Sequence, residues 1–266
     1  MQERKEDGKL AFIVGGSSGI GLACAGELAQ RGYETFLFAK RNGIDLGRLT
    51  EDVERTYSSG SYYDYIDVSD GNQTHEVIGK AVREVGVPNV LINSAGFNRY
   101  ELFLTNGMER QEEILRVNLI GTMNTTHAVL PLMLQRGNGH IINISSITAR
   151  MGSWGHASYS AAKAGVVALT QSLAAENPEI DFTCVFPGIV RTGFYKGYKN
   201  FRGINFKSVV EARDVAERIV KEIGKRKPRM EIFIPRYYFL LDLMKLFSVR
   251  FAHGMVAKNS KPIEKK

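Results

Sequence analysis

Leu10-Ala11-Phe12-Ile13-Val14-Gly15-Gly16-Ser17-Ser18-Gly19-Ile20-Gly21 is an apolar run that breaks into glycines and then continues in a helix-like pattern. Leu10–Gly15 reads as a short buried strand and Gly19–Arg31 as the helix that follows it. Gly15 permits the tight turn, while Gly19 and Gly21 leave out side chains where backbone must approach a ligand and helix must approach strand. The helix N-terminus offers free N–H groups to a diphosphate. Gly15, Ser17, Ser18, Gly19, Ile20 and Gly21 are therefore the candidate phosphate cradle of a dinucleotide site.

Working outward, strands and helices alternate. Strands are expected at 35–39, 61–67, 89–93, 140–145, 181–186 and 231–234. Helices are expected at 73–85, 109–135 (interrupted near Pro131), 157–176 and 209–224. This alternation predicts an α/β fold, a parallel sheet with helices on both faces, and a ligand at the carboxyl ends of its strands. The second strand ends in Phe38-Ala39-Lys40-Arg41, without the acid that a ribose 2′-hydroxyl would prefer. Lys40 and Arg41, with Ser17, suit a 2′-phosphate, so NADP(H) is expected over NAD(H). Asp67 and Val68 are placed at the adenine edge, and Asn93, Ala95 and Gly96 along the cofactor backbone.

Tyr159-Ser160-Ala161-Ala162-Lys163 puts a phenol and an ammonium one helical turn apart. The cation favours phenolate and brings a pKa of about 10 down towards neutrality. Ser146, thirteen residues earlier, is placed to hold a carbonyl oxygen, and Asn118 to hold a water leading from Lys163 to solvent. Together they form a device for moving a proton to or from a carbonyl oxygen. No metal-ligand cluster is visible, since the histidines are scattered and Cys24 and Cys184 lie far apart.

These residues resemble the short-chain dehydrogenase/reductase family over about residues 8–235. The resemblance rests on Gly15-x-x-x-Gly19-Ile20-Gly21, Asn93-x-Ala95-Gly96, Asn118, Ser146, Tyr159-x-x-x-Lys163 and Pro187-Gly188-Ile189-Val190-Arg191-Thr192. It implies an Asn118–Ser146–Tyr159–Lys163 tetrad and a Rossmann-like, doubly wound, three-layer sheet of about seven strands. It also implies that the turn Pro187, Gly188, Ile189 and Thr192 meets the nicotinamide, and that the protein is a homodimer or homotetramer through the two long helices. Val14 and Ser94 depart from the family's commoner threonine and asparagine. The implied reaction is reversible hydride transfer between NADP(H) and a ketone or secondary alcohol. A 3-ketoacyl thioester reductase is an alternative. So is a 3-ketosphinganine-type reductase, although Pro187-Gly188-Ile189-Val190 differs from that group's Pro-Pro-Asp-Thr turn. A non-catalytic cofactor sensor or membrane-recruited scaffold is the reading from another class; the presence of both Tyr159 and Lys163 opposes it.

The substrate wall is expected from Ile147, Arg150, Trp154 and His156, and from Phe194 and Tyr198 in a lid at about 193–208. Residues 1–235 read as one catalytic domain and 236–266 as a basic, apolar helical extension.

The chain has 266 residues, of which 44% are hydrophobic and 24% charged, the balance of a soluble globular protein. Its charge is uneven: residues 225–266 carry eleven Lys/Arg against three Asp/Glu, a balance of +8, which leaves 7 − 8 = −1 for residues 1–224. A nucleic-acid binder would spread its charge over a groove-facing element, and none is visible. Two cysteines without a disulfide pattern and a charged N-terminus without an apolar core predict a cytoplasmic protein. The stretch 236–258 is expected either to lie on an anionic membrane surface or to pack against the body or a second subunit.

Overall fold

The structure is a computed structural model and describes residues 9–41, 45–57, 59–105, 107–193 and 209–260. Phe194, Tyr198 and nearly all of the expected lid lie outside the described residues. The elements run β1 (Leu10–Val14), α1 (Gly19–Ala29), β2 (Glu34–Ala39), α2 (Leu46–Tyr57), β3 (Ser61–Tyr65), α3 (Gly71–Val85) and β4 (Val90–Asn93). They continue with α4 (Met108–Leu115), a π-turn (Arg116–Ile120), α5 (Gly121–Arg136), β5 (His140–Ile144), α6 (Ala157–Glu176), β6 (Asp181–Pro187) and β7 (Val190–Arg191). The chain ends with β8 (Val210–Glu211), α7 (Ala212–Val220), β9 (Glu231–Ile234), α8 (Leu240–Phe247) and α9 (Val249–Ser260).

Seven strands form one parallel sheet in the order β3-β2-β1-β4-β5-β6-β9, and β7 pairs with β8 apart from it. Every residue of β1 is buried, and alternate side chains serve opposite faces. Ala11 and Ile13 pack beneath α1 and α7 with Cys24, Leu28, Val215 and Ile219. Leu10, Phe12 and Val14 pack on the other face with Phe36, Phe38, Ile78 and Val129. Phe36 stacks on Phe38 at 4.6 Å, and Phe12 meets Phe38 edge-on at 5.2 Å. The strand order reverses between β1 and β4, which opens a crevice at their carboxyl ends.

Three expectations are corrected. The long helix is not interrupted at Pro131; it widens instead at Arg116–Ile120, where Gly121 N–H donates to Arg116 C=O, five residues back. Pro131 and His127 both lie on the exposed face, so water can satisfy the carbonyl that loses its donor there. Residues 209–211 are not helical, because β8 takes Val210 and Glu211. The extension is not one helix: Ser248 is extended, and its hydroxyl accepts from Phe251 N–H at 3.2 Å, capping α9. The helix α2, not anticipated, starts where the Asp45 carboxylate accepts from Arg48 N–H at 3.1 Å. Cys24 and Cys184 are buried free thiols, and burial pushes Cys184 up to about 12.

His140 on β5 is buried and engaged with Thr183 Oγ1 at 2.8 Å. The Thr183 hydroxyl donates to Arg229 C=O at 2.8 Å, so the imidazole must donate through Nε2. Burial pushes His140 down to about 4, against an opposing pull from Glu222. The unfolded imidazole therefore takes up its proton first, and stability falls as pH drops from about 6.5 to about 4, by up to ~3 kcal/mol. In urea titrations across that window, His140→Gln is expected to flatten the fall; an unchanged pH slope would contradict the assignment.

Candidate active site

The cradle sits where β1 meets α1. Gly15 has φ +84°, and a Cβ there would lie 2.5 Å from Ala95 N, so no side chain fits. Gly15 N–H and Gly16 N–H both donate to Phe38 C=O, at 2.8 and 3.1 Å, which ties the turn to the end of β2. Ser18 precedes α1 without a side-chain cap, so the first N–H groups of the helix are available to a ligand. A Cβ on Gly19 would lie 3.2 Å from the Thr192 methyl, which brings the phosphate turn and the turn after β6 together. A bare, donor-rich helix end fits a diphosphate.

At the rim of this crevice, Lys40 pairs with Asp67 at 2.7 Å, and Arg41 lies over the Tyr65 ring at 4.4 Å. Burial alone would raise the Asp67 carboxyl, but hydrogen bonds from Lys40 and Ser69 outweigh it and hold the pKa below its usual range. The Asp67 carboxylate expected at the adenine edge is thus already engaged by Lys40 and Ser69. Val68 is buried, with its carbonyl accepting from Asn124 at 2.8 Å.

Asn93 does not present its amide to the crevice. Its Nδ2 donates to Asn143 Oδ1 at 2.9 Å and to Thr126 Oγ1 at 3.2 Å, and its Oδ1 accepts from Thr125 at 2.7 Å. Asn143 in turn donates to Thr170 at 2.9 Å. This buried polar ladder stitches α5, β4, β5 and α6 together just beneath the site, and leaves only backbone of Asn93 for a cofactor.

Lys163 projects from α6 into the end of β5. Its Nζ donates to Ile144 C=O at 2.8 Å and lies 5.7 Å from the Tyr159 ring centre. Both side chains are buried, at 4% and 8% exposure. Burial pushes the ammonium down to about 8, with Cys184 opposing the shift. Ser145 Oγ donates to Lys163 C=O at 2.9 Å, which pins this turn of α6 to β5. Next to it, Ser146 Oγ accepts from Thr148 N–H at 3.2 Å. Asn118 stands in the π-turn, where its Nδ2 donates to Ile114 C=O at 2.9 Å and to Phe97 C=O at 2.8 Å. Its Oδ1 is buried and has no hydrogen-bond partner. A Cβ on Gly96 would lie 2.5 Å from that oxygen and 3.5 Å from Lys163 Nζ. One open acceptor and a partly engaged ammonium thus flank Gly96, an arrangement that fits a bridging water or ribose hydroxyl. Sequence reading placed Asn118 in the long helix facing the site; the π-widening that presents it there was not foreseen.

Among the residues expected to line the substrate wall, His156 stays beside the phenol and Trp154 beside Tyr100. The His156 ring is 6.2 Å from that of Tyr159 and 5.0 Å from that of Tyr100, and the Trp154 ring is 5.2 Å from Tyr100. Burial pushes His156 below its usual range, against the pull of Trp154 C=O. Ile147 opens a 3-10 turn directly after Ser146. Arg150 is turned away from the substrate wall. It pairs with Glu231 and, at 3.4 Å, with Asp242, and it lies over the Phe186 ring at 4.4 Å. Two carboxylates and an aromatic face outcompete an apolar pocket for a guanidinium. Sequence reading also missed Tyr238, whose ring fills the space where a Cβ on Gly188 would come within 2.4 Å.

The family model for short chain dehydrogenase matches residues 9–202. The chain belongs to that family. It is 34% identical over 188 residues to 3-oxoacyl-(acyl-carrier-protein) reductase FabG of Thermotoga maritima, covering 70% of this chain and 76% of that protein. It is 31% identical over 218 residues to the 3-oxoacyl-(acyl-carrier-protein) reductase of Rattus norvegicus, covering 80% and 89%. Among solved structures, the alcohol dehydrogenase of Thermococcus sibiricus complexed with 5-hydroxy-NADP aligns with a TM-score of 0.76 at 27% identity, covering 85% of this chain and 95% of that one. The short-chain dehydrogenase thus has the expected Rossmann-like fold of its relatives and is an oxidoreductase.

Gly96→Ala would press a methyl group against Asn118 Oδ1. Its kcat is expected to fall at least ~10-fold, with a melting temperature lowered by only a few degrees. Steady-state kinetics beside a thermal melt would check this; full activity would contradict the placement of Asn118 and Lys163 around Gly96.

Proposed function

We propose that this short-chain dehydrogenase is an NADP(H)-dependent ketoreductase that interconverts an apolar ketone and its secondary alcohol. The observation that carries this reading is the buried Lys163 ammonium, bound to Ile144 C=O under the Tyr159 ring, with the open Asn118 oxygen opposite. In this reading the bound, reduced nicotinamide supplies hydride to the carbonyl carbon. Tyr159 gives its proton to the carbonyl oxygen, and Ser146 steadies that oxygen as charge develops on it. Lys163 has donor hydrogens left for the ribose hydroxyls and for a water held by Asn118, which re-protonates the phenol from solvent. The cradle Gly15–Gly21 would hold the diphosphate, and Ile189 and Thr192 would meet the carboxamide.

The absence of an acid at the end of β2 supports NADP(H), as does the NADP analogue named in the Thermococcus sibiricus structure. Lys40 and Arg41 are the 2′-phosphate residues, and the Asp67 pairing holds Lys40 at the rim until an anion competes for it. A 3-ketoacyl thioester reductase is the second reading, supported by the names of the relatives. Assembly as a homodimer or homotetramer through the two long helices, α6 and the one that runs from α4 through the π-turn to α5, is supported by the exposed Ile120 of the π-turn and Met123 of α5.

Tyr159→Phe is expected to lower NADPH-dependent ketone turnover by at least ~100-fold. NADPH binding, followed by fluorescence titration, should stay within about threefold and remain tighter than NADH binding. Equal loss of turnover and binding, or a preference for NADH, would overturn the assignment.

A further inference from the structure

The extension is anchored at its root. Gly188 N–H donates to Ile234 C=O at 2.8 Å, Tyr238 packs on Gly188, and Arg150 reaches Asp242 at 3.4 Å. All three contacts lie at the carboxyl edge of the sheet, beside the mouth of the active site. Beyond that root the extension leaves large apolar side chains in the open: Leu246 is 80% exposed, Phe247 90% and Phe251 63%. The loop after β4 opens on the same edge, because all seven strands are parallel. It is held against the active-site loop by Glu101 N–H to Gly155 C=O at 3.2 Å, and it exposes Phe103 at 51% and Leu104 at 94%. Scattered apolar residues on a surface carry no meaning, but an extension rooted at this edge and a loop that opens on it, each with large apolar side chains exposed, do.

We propose that this edge is a docking face for an anionic lipid surface, with the active-site mouth turned towards the bilayer. Charge selects lipid over a second copy of the chain. The extension 236–266 carries seven Lys/Arg against two Asp/Glu, a balance of 7 − 2 = +5, so self-association through this face would set like charges against each other. Arg250 stands between the exposed Phe247 and Phe251, a pairing of rings and cation that binds at an acidic headgroup layer. No helix among the described residues is long and apolar enough to cross a membrane, so contact here is peripheral. The docking face deepens the ketoreductase reading, and rests on it only in assigning a bilayer-borne ketone as substrate.

The test floats the full chain, without cofactor, on phosphatidylcholine vesicles with and without phosphatidylglycerol. Binding is expected to be at least ~10-fold stronger with the anionic lipid and to weaken as salt rises from about 50 to about 500 mM. L246E/F247E and, separately, L104E are each expected to cut binding at least ~10-fold, with turnover of a short water-soluble ketone unchanged. Equal binding to neutral vesicles, no binding, or retention of binding by either variant overturns the proposal. So does a change from dimer to monomer in L246E/F247E at sedimentation equilibrium, which would make the face a contact between copies. If wild type turns over no ketone at all yet floats as expected, the ketoreductase reading fails and the docking face stands.

Discussion

A buried ammonium beneath a phenol is the constraint to which the rest of this molecule is fitted. Burial opposes the charge on Lys163 and lowers its pKa to about 8, so the cation persists only where partners meet it. One partner is Ile144 C=O at the last residue of β5. Holding α6 in that position calls on Ser145 from below, on the Asn143–Thr170 bond, and on Ser158, which reaches Gln111 of α4. On the other side the π-turn brings Asn118 to bear, and the missing side chain at Gly96 leaves room between them. The polar ladder beneath the site is the framework that keeps these groups in register.

The extension belongs to the same framework. Arg150 follows the serine turn after β5, and it holds Glu231 of β9 and Asp242 of α8 while lying over Phe186 of β6. Tyr238 presses on Gly188 in the turn expected to meet the nicotinamide. The extension is thus tied, through Arg150 and Tyr238, to the turns that follow β5 and β6.

Much of the sheet was legible because parallel strands buried on both faces read as apolar runs, as at Leu10–Val14 and His140–Ile144. α6 was legible to the residue, and Gly15 announced its own turn. The misses have physical causes. α2 carries a thin apolar stripe of Leu46 and Val53 amid charge, and its clearest sign was the cap Asp45. Pro131 was given too much weight, because a proline on a wet helix face deprives only a carbonyl that water can serve. Arg150 and Asn93 were named for the ligand side, yet both are engaged within the protein; sequence spacing places a residue near a strand end without saying which neighbours compete for it. The break at Ser248 was visible only as a capping residue.

The most direct measurement is the titration of the Tyr159 phenol itself, by NMR of tyrosine labelled at Cζ, in the complex with NADP+ and again in Lys163→Met. The account predicts that this phenol ionises at least about two pH units below the ordinary value near 10, and that the shift is largely lost without the lysine. A phenol that titrates at or above 10 in the intact complex, or equally low without Lys163, would contradict it.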